Sequence, residues 1–140
     1  MAIRQLSVFL ENKKGTLHEI TDVLAKGNID LRSMCIADSS DYGIVRIIAD
    51  NPQKAMELLT EAGHTAKIRN VTAFAVPDQP GGLAKVLSIL EANGINLVYM
   101  YALVTTSVDK AYAVIRTDDE TRAEKILSKN NVELLDEGSI

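Results

Sequence analysis

The chain has 140 residues, of which 46% are hydrophobic and 24% charged, and its formal net charge is −4. This length and composition are typical of a folded, soluble protein of about one ordinary domain. The acidic balance argues against nucleic acid or an anionic membrane as the main partner.

The first half of the sequence alternates strand-like and helix-like segments. Residues 3–10 predict a strand, and apolar residues at helical spacing between Leu17 and Leu24 predict a helix that ends at Gly27. Asn51 and Pro52 are typical of an N-cap and a first helical position, so a second helix is expected to follow and to end before Gly63. Further strands are predicted at residues 29–37, 43–49 and 65–69, with a turn at residues 39–41.

The second half repeats this βαββαβ order. Gly15 aligns with Gly81 at an offset of 66 residues and Leu59 with Leu127 at an offset of 68, which places two extra residues of the second copy between 105 and 110. The repeat predicts two modules, residues 1–70 and residues 71–140. Each follows the split βαβ plan, with strand order 4-1-3-2 and its helices on one face of an antiparallel sheet. In the second copy, strands are predicted at 71–76, 95–104, 111–116 and 132–135, and helices around 83–90 and 123–127.

Few residues in the chain could carry catalysis. His18 and His64 are the only histidines, and neither has the spacing of a metal ligand. Cys35 lies in an apolar strand with no base suggested beside it, and the sequence has no glycine-rich phosphate-binding motif. We therefore predict a protein that is not an enzyme and that has no catalytic residues, no metal and no cofactor.

Localisation is predicted from what the sequence does not contain. The longest apolar run, residues 97–104, is too short to cross a bilayer, and residues 1–5 show no signal-peptide pattern. One cysteine cannot form an internal disulfide. We expect a cytoplasmic protein with no membrane partner.

The most specific feature is the turn between the first strand and the first helix of each copy. In the second copy it reads Asp78-Gln79-Pro80-Gly81-Gly82-Leu83, and in the first Asn12-Lys13-Lys14-Gly15-Thr16-Leu17. Glycine allows close approach of the backbone, and the free N–H groups at a helix start favour a carboxylate. A second polar residue, Asp30 or Asn96, follows each turn glycine by fifteen positions, at a strand start. Alternatively, Asn12 and Asp78 are ordinary N-caps, and Asp30 and Asn96 are solvated residues at strand starts.

This arrangement resembles the ACT domain, a small regulatory module that binds amino acids. The D-x-P-G-x-L turn and the G-I-N-L strand start match in the second copy, and the first copy has Asn12 for the Asp and Lys14 for the Pro. The resemblance implies an α+β fold of two ferredoxin-like modules with the ligand between paired modules. Serine-sensing members have a histidine two residues before the turn asparagine, whereas this chain has Leu10 and Val76 there. The ligand-binding residues implied are Asn12, Gly15, Leu17, Asp30, Asp78, Gly81, Leu83 and Asn96.

The second strand of each copy is expected at a sheet edge. Because residues 97–104 are apolar on both faces, we expect them to pair with residues 29–37 and to form one eight-stranded sheet, or to pair with another chain. If each site combines a turn from one copy with a strand start from the other, one site joins Asn12 to Asn96 and the other joins Asp78 to Asp30. Two amides suit a zwitterion, whereas two carboxylates repel each other. If each site lies within one copy, each has one amide and one acid.

The predicted function is that of a non-enzymatic regulatory protein that senses a small amino acid at the interface between its two ACT modules. The alternative is a ligand-independent interaction or regulatory subunit of an amino-acid biosynthetic enzyme. A chain of 140 residues leaves no room for a catalytic domain beside two modules, so we expect a separate enzyme partner. A homodimer is also expected.

Overall fold

A computed structural model describes residues 2–11, 13–38, 42–104 and 107–140 of the chain. The predicted turn at residues 39–41 and part of the predicted two-residue insertion lie outside the described residues. The chain divides into two compact units, Arg4–Asn70 and one that contains Val71–Ile140. These are the first and second modules below.

The elements follow the predicted order in both modules. Each predicted helix is present and so is each predicted strand except that 65–69 and 71–76 are merged into one; the ends differ by a few residues, and a short 3₁₀ turn at Glu137–Ser139 was not predicted. The strands are β1 (Ile3–Glu11), β2 (Leu31–Asp38), β3 (Tyr42–Ala49), β4 (Ala66–Pro77), β5 (Leu97–Leu103), β6 (Lys110–Thr117) and β7 (Glu133–Leu135); the helices are α1 (Thr16–Lys26), α2 (Pro52–Glu61), α3 (Gly82–Ala92) and α4 (Glu120–Lys129).

The first module has the strand order β2-β3-β1-β4. Alternate residues of β1 point toward the helices, so Leu6 and Val8 are fully buried. They pack against Ile20 and Leu24 of α1 and Leu59 of α2, which are buried at helical spacing. Helices therefore cover one face of this antiparallel sheet, as predicted.

The second module repeats the plan with the order β7-β4-β6-β5. Phe74 of β4 and Ile115 of β6 are fully buried and form its core with Val86 and Leu90 of α3 and Leu127 of α4. Both modules have the predicted order 4-1-3-2, because β4 is the fourth strand of the first module and the first strand of the second. The predicted α+β fold of two βαββαβ modules is confirmed.

The strand count is seven rather than the predicted eight. Residues 66–77 form one uninterrupted strand, because no glycine or proline lies between residues 65–69 and 71–76 to turn the chain. The predicted pairing of the two second strands is also not found. Among the described strands, β2 pairs with β3 and β5 pairs with β6, so each is an edge strand of its module. Within the described ranges, no helix has the length and apolar character that a membrane crossing needs.

Candidate functional site

The helices α1 and α3 begin differently from α2 and α4. Asn51 and Asp119 cap α2 and α4, and each side chain accepts a hydrogen bond from the N–H of the third helical residue at 3.1 Å. At α1 and α3 the N-cap is a glycine, Gly15 or Gly81, with φ of 84° or 85° and no side-chain cap. The predicted turns therefore head two helices whose N-termini are not capped by any side chain among the described residues.

An uncapped helix N-terminus favours a negatively charged group. In α1 the first helical hydrogen bond runs from the N–H of Glu19 to the carbonyl of Gly15, and in α3 from Lys85 to Gly81. The N–H groups of residues 17, 18, 83 and 84 precede those bonds and have no partner within the helix. Together with the helix dipole they can receive a carboxylate. The side chains of Leu17 and Leu83 pack against the two cores, so these residues position the backbone.

Asp78 does not cap α3, although an aspartate at this point of the turn could have done so. Its side chain is exposed, and its backbone N–H donates to the carbonyl of Asp109 at 2.9 Å, which ties the turn to the start of β6. The turn is tight, since a Cβ on Gly82 would lie 2.5 Å from the carbonyl oxygen of Pro77. The corresponding residue of the first module, Asn12, lies outside the described residues.

The two strand-start residues, Asp30 and Asn96, have the same backbone environment. The N–H of Asp30 donates to the carboxylate of Asp50 at 3.1 Å, and Asn96 donates to Asp118 at the same distance. Both side chains are exposed. The carboxylate of Asp30 forms an ion pair with Arg32 at 2.9 Å, so its charge is partly neutralised.

Within one module, the turn and the strand start are far apart. The N-terminus of α1 is at the turn and its C-terminus is near Asp30, and eleven helical residues span about 16 Å. The strand register also places the turn and the strand start at opposite ends of the sheet, because Glu11 pairs with Tyr42 at one end of β3 and Leu31 pairs with Ala49 at the other end. A single amino acid is too short to touch both, which favours the arrangement with each site built from two copies of the module.

A second polar feature adjoins the turn of the first module. A cleft of about 290 Å³ lies between this turn, the first turn of α1 and the segment that joins α2 to β4. Only 12% of the His64 side chain is exposed there, and its Nε2 atom is buried without a hydrogen-bond partner. This atom lies 3.3 Å from Oε1 of Glu19. The cleft is lined by Phe9, Glu11, Lys13, Thr16, Glu19, Gly63, His64 and Thr65.

Neither His64 nor Glu19 was among the predicted site residues. A comparison of the two copies could have identified them, because the polar pair is not repeated. His64 aligns with Val132 and Glu19 aligns with Lys85 in the second copy. The backbone hydrogen bonds confirm this equivalence, since the backbone N–H of His64 donates to the carbonyl of Leu59 and the backbone N–H of Val132 donates to the carbonyl of Leu127. A histidine in the place of a valine is a polar substitution at a site that the fold fills with an apolar residue.

The resolved pKa shifts lie at ion pairs outside the two turns. A hydrogen bond and ion pair with Glu133 raise the pKa of Lys110, which begins β6 next to the turn's anchor at Asp109. A hydrogen bond and ion pair with Lys26 lower the pKa of Asp22 on α1.

Among the residues that the structure describes, no group of three His, Cys, Asp or Glu residues could hold a metal ion.

The same fold and the same glycine-headed turn occur in both modules. A family model described as an ACT domain pair matches residues 1–140, and the chain belongs to this family. No curated protein sequence matches the chain.

Solved structures share the fold of this chain. Protein BT0572 from Bacteroides thetaiotaomicron is 41% identical, with a TM-score of 0.91 over 96% of this chain and 92% of that one. The regulatory subunit of aspartate kinase from Thermus thermophilus is 17% identical, with a TM-score of 0.62 over 90% and 91% of the two chains. A structure of aspartokinase alpha and beta subunits is 20% identical, with a TM-score of 0.60 over 90% of each. The last two show a shared fold. ACT domains are regulatory, and no catalytic family is indicated.

Proposed function

We propose that this protein is a regulatory module pair, itself without catalytic activity, that binds a small amino acid and signals its presence to a separate enzyme. The observation that carries the proposal is the contrast between helix starts. Side chains cap α2 and α4, whereas glycines head α1 and α3 and leave first-turn N–H groups for a ligand carboxylate. Membership in the ACT family supports the same function.

The ligand is proposed to lie between a turn from one module and a strand start from another. Since the two ends of a module are about 16 Å apart, we expect the second half of each site to come from a paired module. Because β2 and β5 each have one strand partner among the described residues, we assign the pairing to a second copy of the chain. The protein would then be a homodimer.

The crossed pairing gives two sites with different chemistry. Asn12 with Asn96 provides amides that can accept from an ammonium and donate to a carboxylate. Asp78 with Asp30 is less repulsive than the sequence predicts, because Arg32 forms an ion pair with Asp30 at 2.9 Å. The turns would be shaped by the positive φ of Gly15 and Gly81 and held in place by the packing of Leu17 and Leu83 against the two cores.

The enzyme partner is proposed to be one of amino-acid biosynthesis. The regulatory subunit of aspartate kinase shares this fold over 90% of the chain, which makes such a kinase the first partner to test. Ligand binding would shift the packing of the paired modules and so the activity of the bound enzyme. A cytoplasmic location, where such enzymes and their products occur, belongs to the same proposal.

Calorimetric titration of the full chain with each proteinogenic L-amino acid tests the proposal. At least one amino acid should bind, and Asn96→Ala and Asp78→Ala should each weaken a site. Asn130→Ala is the matched control, since Asn130 is an exposed asparagine at the end of α4. Undiminished binding by Asn96→Ala would reject the crossed site. If no amino acid binds the wild type, the chain is instead a ligand-independent interaction subunit.

A further inference from the structure

A groove in the second module lies between the C-terminal half of α3 and the start of β5. Its volume is about 500 Å³, and the half-buried side chains of Leu87 and Leu97 form part of its walls. Glu91 lines the groove with an exposed carboxylate that has no ion-pair or hydrogen-bond partner among the residues that the structure describes. Among the described strands, β5 pairs with β6 alone, so the groove adjoins an open sheet edge. It is an apolar surface with one unpaired negative charge.

The first module does not repeat this combination. At the repeat offset of 66 residues, Leu87 aligns with Thr21 and Glu91 aligns with Ala25. Two acids near that end of α1 are already in ion pairs: Asp22 with Lys26 and Asp30 with Arg32. The groove and its charge therefore belong to the second module and do not follow from the shared fold.

The turn before α1 has an unpaired charge of the opposite sign. Lys14 is exposed and has no ion-pair partner among the described residues, whereas Lys13 forms an ion pair with Glu11 at 3.0 Å. In the second copy, Pro80 occupies the position of Lys14, and the charged residue of the turn is the exposed Asp78. The two turns therefore differ in sign.

The β2 edge of the first module exposes apolar side chains on the face that the helices cover. Met34 pairs with Ile47 across β2 and β3, and Ile36 pairs with Val45. Directly opposed residues point to the same face of a sheet, and Ile47 and Val45 belong to the core under the helices. Met34 and Ile36 therefore face the helix side as well, yet they are 41% and 45% exposed. They form an apolar strip of the kind that packs against the leucines of the groove.

The lengths of the helices bring the turn and the groove together when two copies pair. Helices α1 and α3 each have eleven residues and so a length of about 16 Å. When β2 of one copy joins β5 of another in antiparallel fashion, with the helices on one face, α1 and α3 lie side by side and run in opposite directions. The turn before α1 then lies beside the C-terminal half of α3, where Glu91 is.

The unpaired charges select which modules pair. A first module joined to a second module places Lys14 near Glu91, and these opposite charges attract. Two second modules joined in the same way would place Asp78 near Glu91, and like charges at an interface repel. Two first modules would leave Lys14 without a carboxylate, because Ala25 occupies the position of Glu91.

We propose that the groove between α3 and β5 is the docking surface for a second copy of this chain, and that it receives the β2 edge and the Lys14 turn of that copy's first module. The proposal rests on the proposed function, whose sites need a turn from one module and a strand start from another, and it names the ion pair, Lys14 with Glu91, that selects the partner. Since each copy has one such turn and one such groove, two copies satisfy both and the assembly closes as a dimer.

Sedimentation equilibrium of the full chain tests the proposal by charge reversal. The wild type should be a dimer, and Lys14→Glu and Glu91→Lys should each raise the dimer dissociation constant at least about tenfold, because each places like charges together in both interfaces. All variants should keep the wild-type circular dichroism spectrum, since the positions are exposed. Glu61→Lys is the matched control, because it reverses an exposed glutamate at the C-terminal end of α2, and it should dimerise as the wild type does.

Recovery between variants shows whether the two charges meet across copies. The doubly reversed chain and an equal mixture of the two single variants should both regain the wild-type dissociation constant, since each restores opposite charges in both interfaces. Recovery by the doubly reversed chain without recovery in the mixture would overturn the proposal, because the charges would then not meet between copies.

The remaining outcomes separate the docking surface from the proposed function. Wild-type dissociation constants in both single variants would overturn the docking surface, and so would a monomeric wild type, which would assign the groove to a different protein. Calorimetric titration of the same wild-type chain with amino acids is the separate measurement. Binding without any effect of charge reversal leaves amino-acid sensing in place and rejects this docking surface. A charge-dependent dimer that binds no amino acid supports the docking surface and rejects amino-acid sensing.

Discussion

The turn before α3 gives a prediction whose size follows from the structure. A Cβ atom on Gly82 would lie 2.5 Å from the carbonyl oxygen of Pro77, whereas ordinary contacts begin at 3.4 Å. Gly82→Ala must therefore move the turn backbone by roughly 0.9 Å. Such overpacking typically costs about 1–3 kcal/mol of unfolding free energy, which the better helix propensity of alanine offsets by at most about 1 kcal/mol. Because the clash is with backbone, which cannot rotate away, the cost lies in the upper half of that range, and we expect a net loss of about 1–2 kcal/mol in urea denaturation of the full chain.

The first module provides the control. Thr16 occupies the equivalent position, where a β-branched side chain is accommodated and its hydroxyl donates to the carbonyl of Lys13 at 3.1 Å. Thr16→Ala removes only that partly exposed hydrogen bond and should cost no more than about 1 kcal/mol. A free energy of unfolding for Gly82→Ala within about 0.5 kcal/mol of wild type would refute the reasoning, since surface changes without such a clash lie in that range.

Three further predictions concern a cap, a charge and an edge. Asp119→Ala should lower the unfolding free energy by about 1 kcal/mol, whereas Asp78→Ala should leave it within about 0.5 kcal/mol of wild type; an equal loss in urea denaturation would contradict the cap assignment. The pKa of Asp22, followed by the NMR signal of its carboxyl carbon, should be lowered, and Lys26→Gln should restore the ordinary value. The ion pair stabilises the fold at pH values above the unfolded pKa of about 3.9, and this stabilisation is lost as the pH falls through the folded pKa. Ile36→Lys, at an exposed position of edge strand β2, should abolish dimers in analytical ultracentrifugation without unfolding the module, since lysine blocks edge pairing; an intact dimer would reject that edge as the interface.

Periodicity predicted the helices, because their buried stripes repeat at helical spacing in both copies. Residue type predicted Asn51 as a cap, since asparagine is favoured at the N-cap and proline at the first helical position. The N-cap of α3 could not be assigned from the sequence, because both Asp78 and Gly81 are suitable N-cap residues. The glycine occupies it with positive φ, which leaves Asp78 exposed and the first-turn N–H groups uncovered.

Tertiary geometry accounts for what the sequence could not predict. Asp30 follows Gly15 by only fifteen residues, yet the length of α1 places the two at opposite ends of a module. Arg32, which pairs with Asp30, adjoins it in sequence but gives no sign there of which acid it contacts. His64 lies 45 residues from Glu19 in the chain, and only the folded module shows the 3.3 Å contact between them.

The central claim is that this module pair binds an amino acid, and a thermal-shift titration of the full chain tests it most directly. Each proteinogenic L-amino acid would be compared with its D-enantiomer, which has the same charges but the wrong shape for a built site. A ligand at one hundred times its dissociation constant stabilises the folded state by about 2.7 kcal/mol. The account predicts a midpoint that rises by several degrees with at least one L-amino acid and not with its enantiomer. Midpoints that no amino acid changes would contradict it.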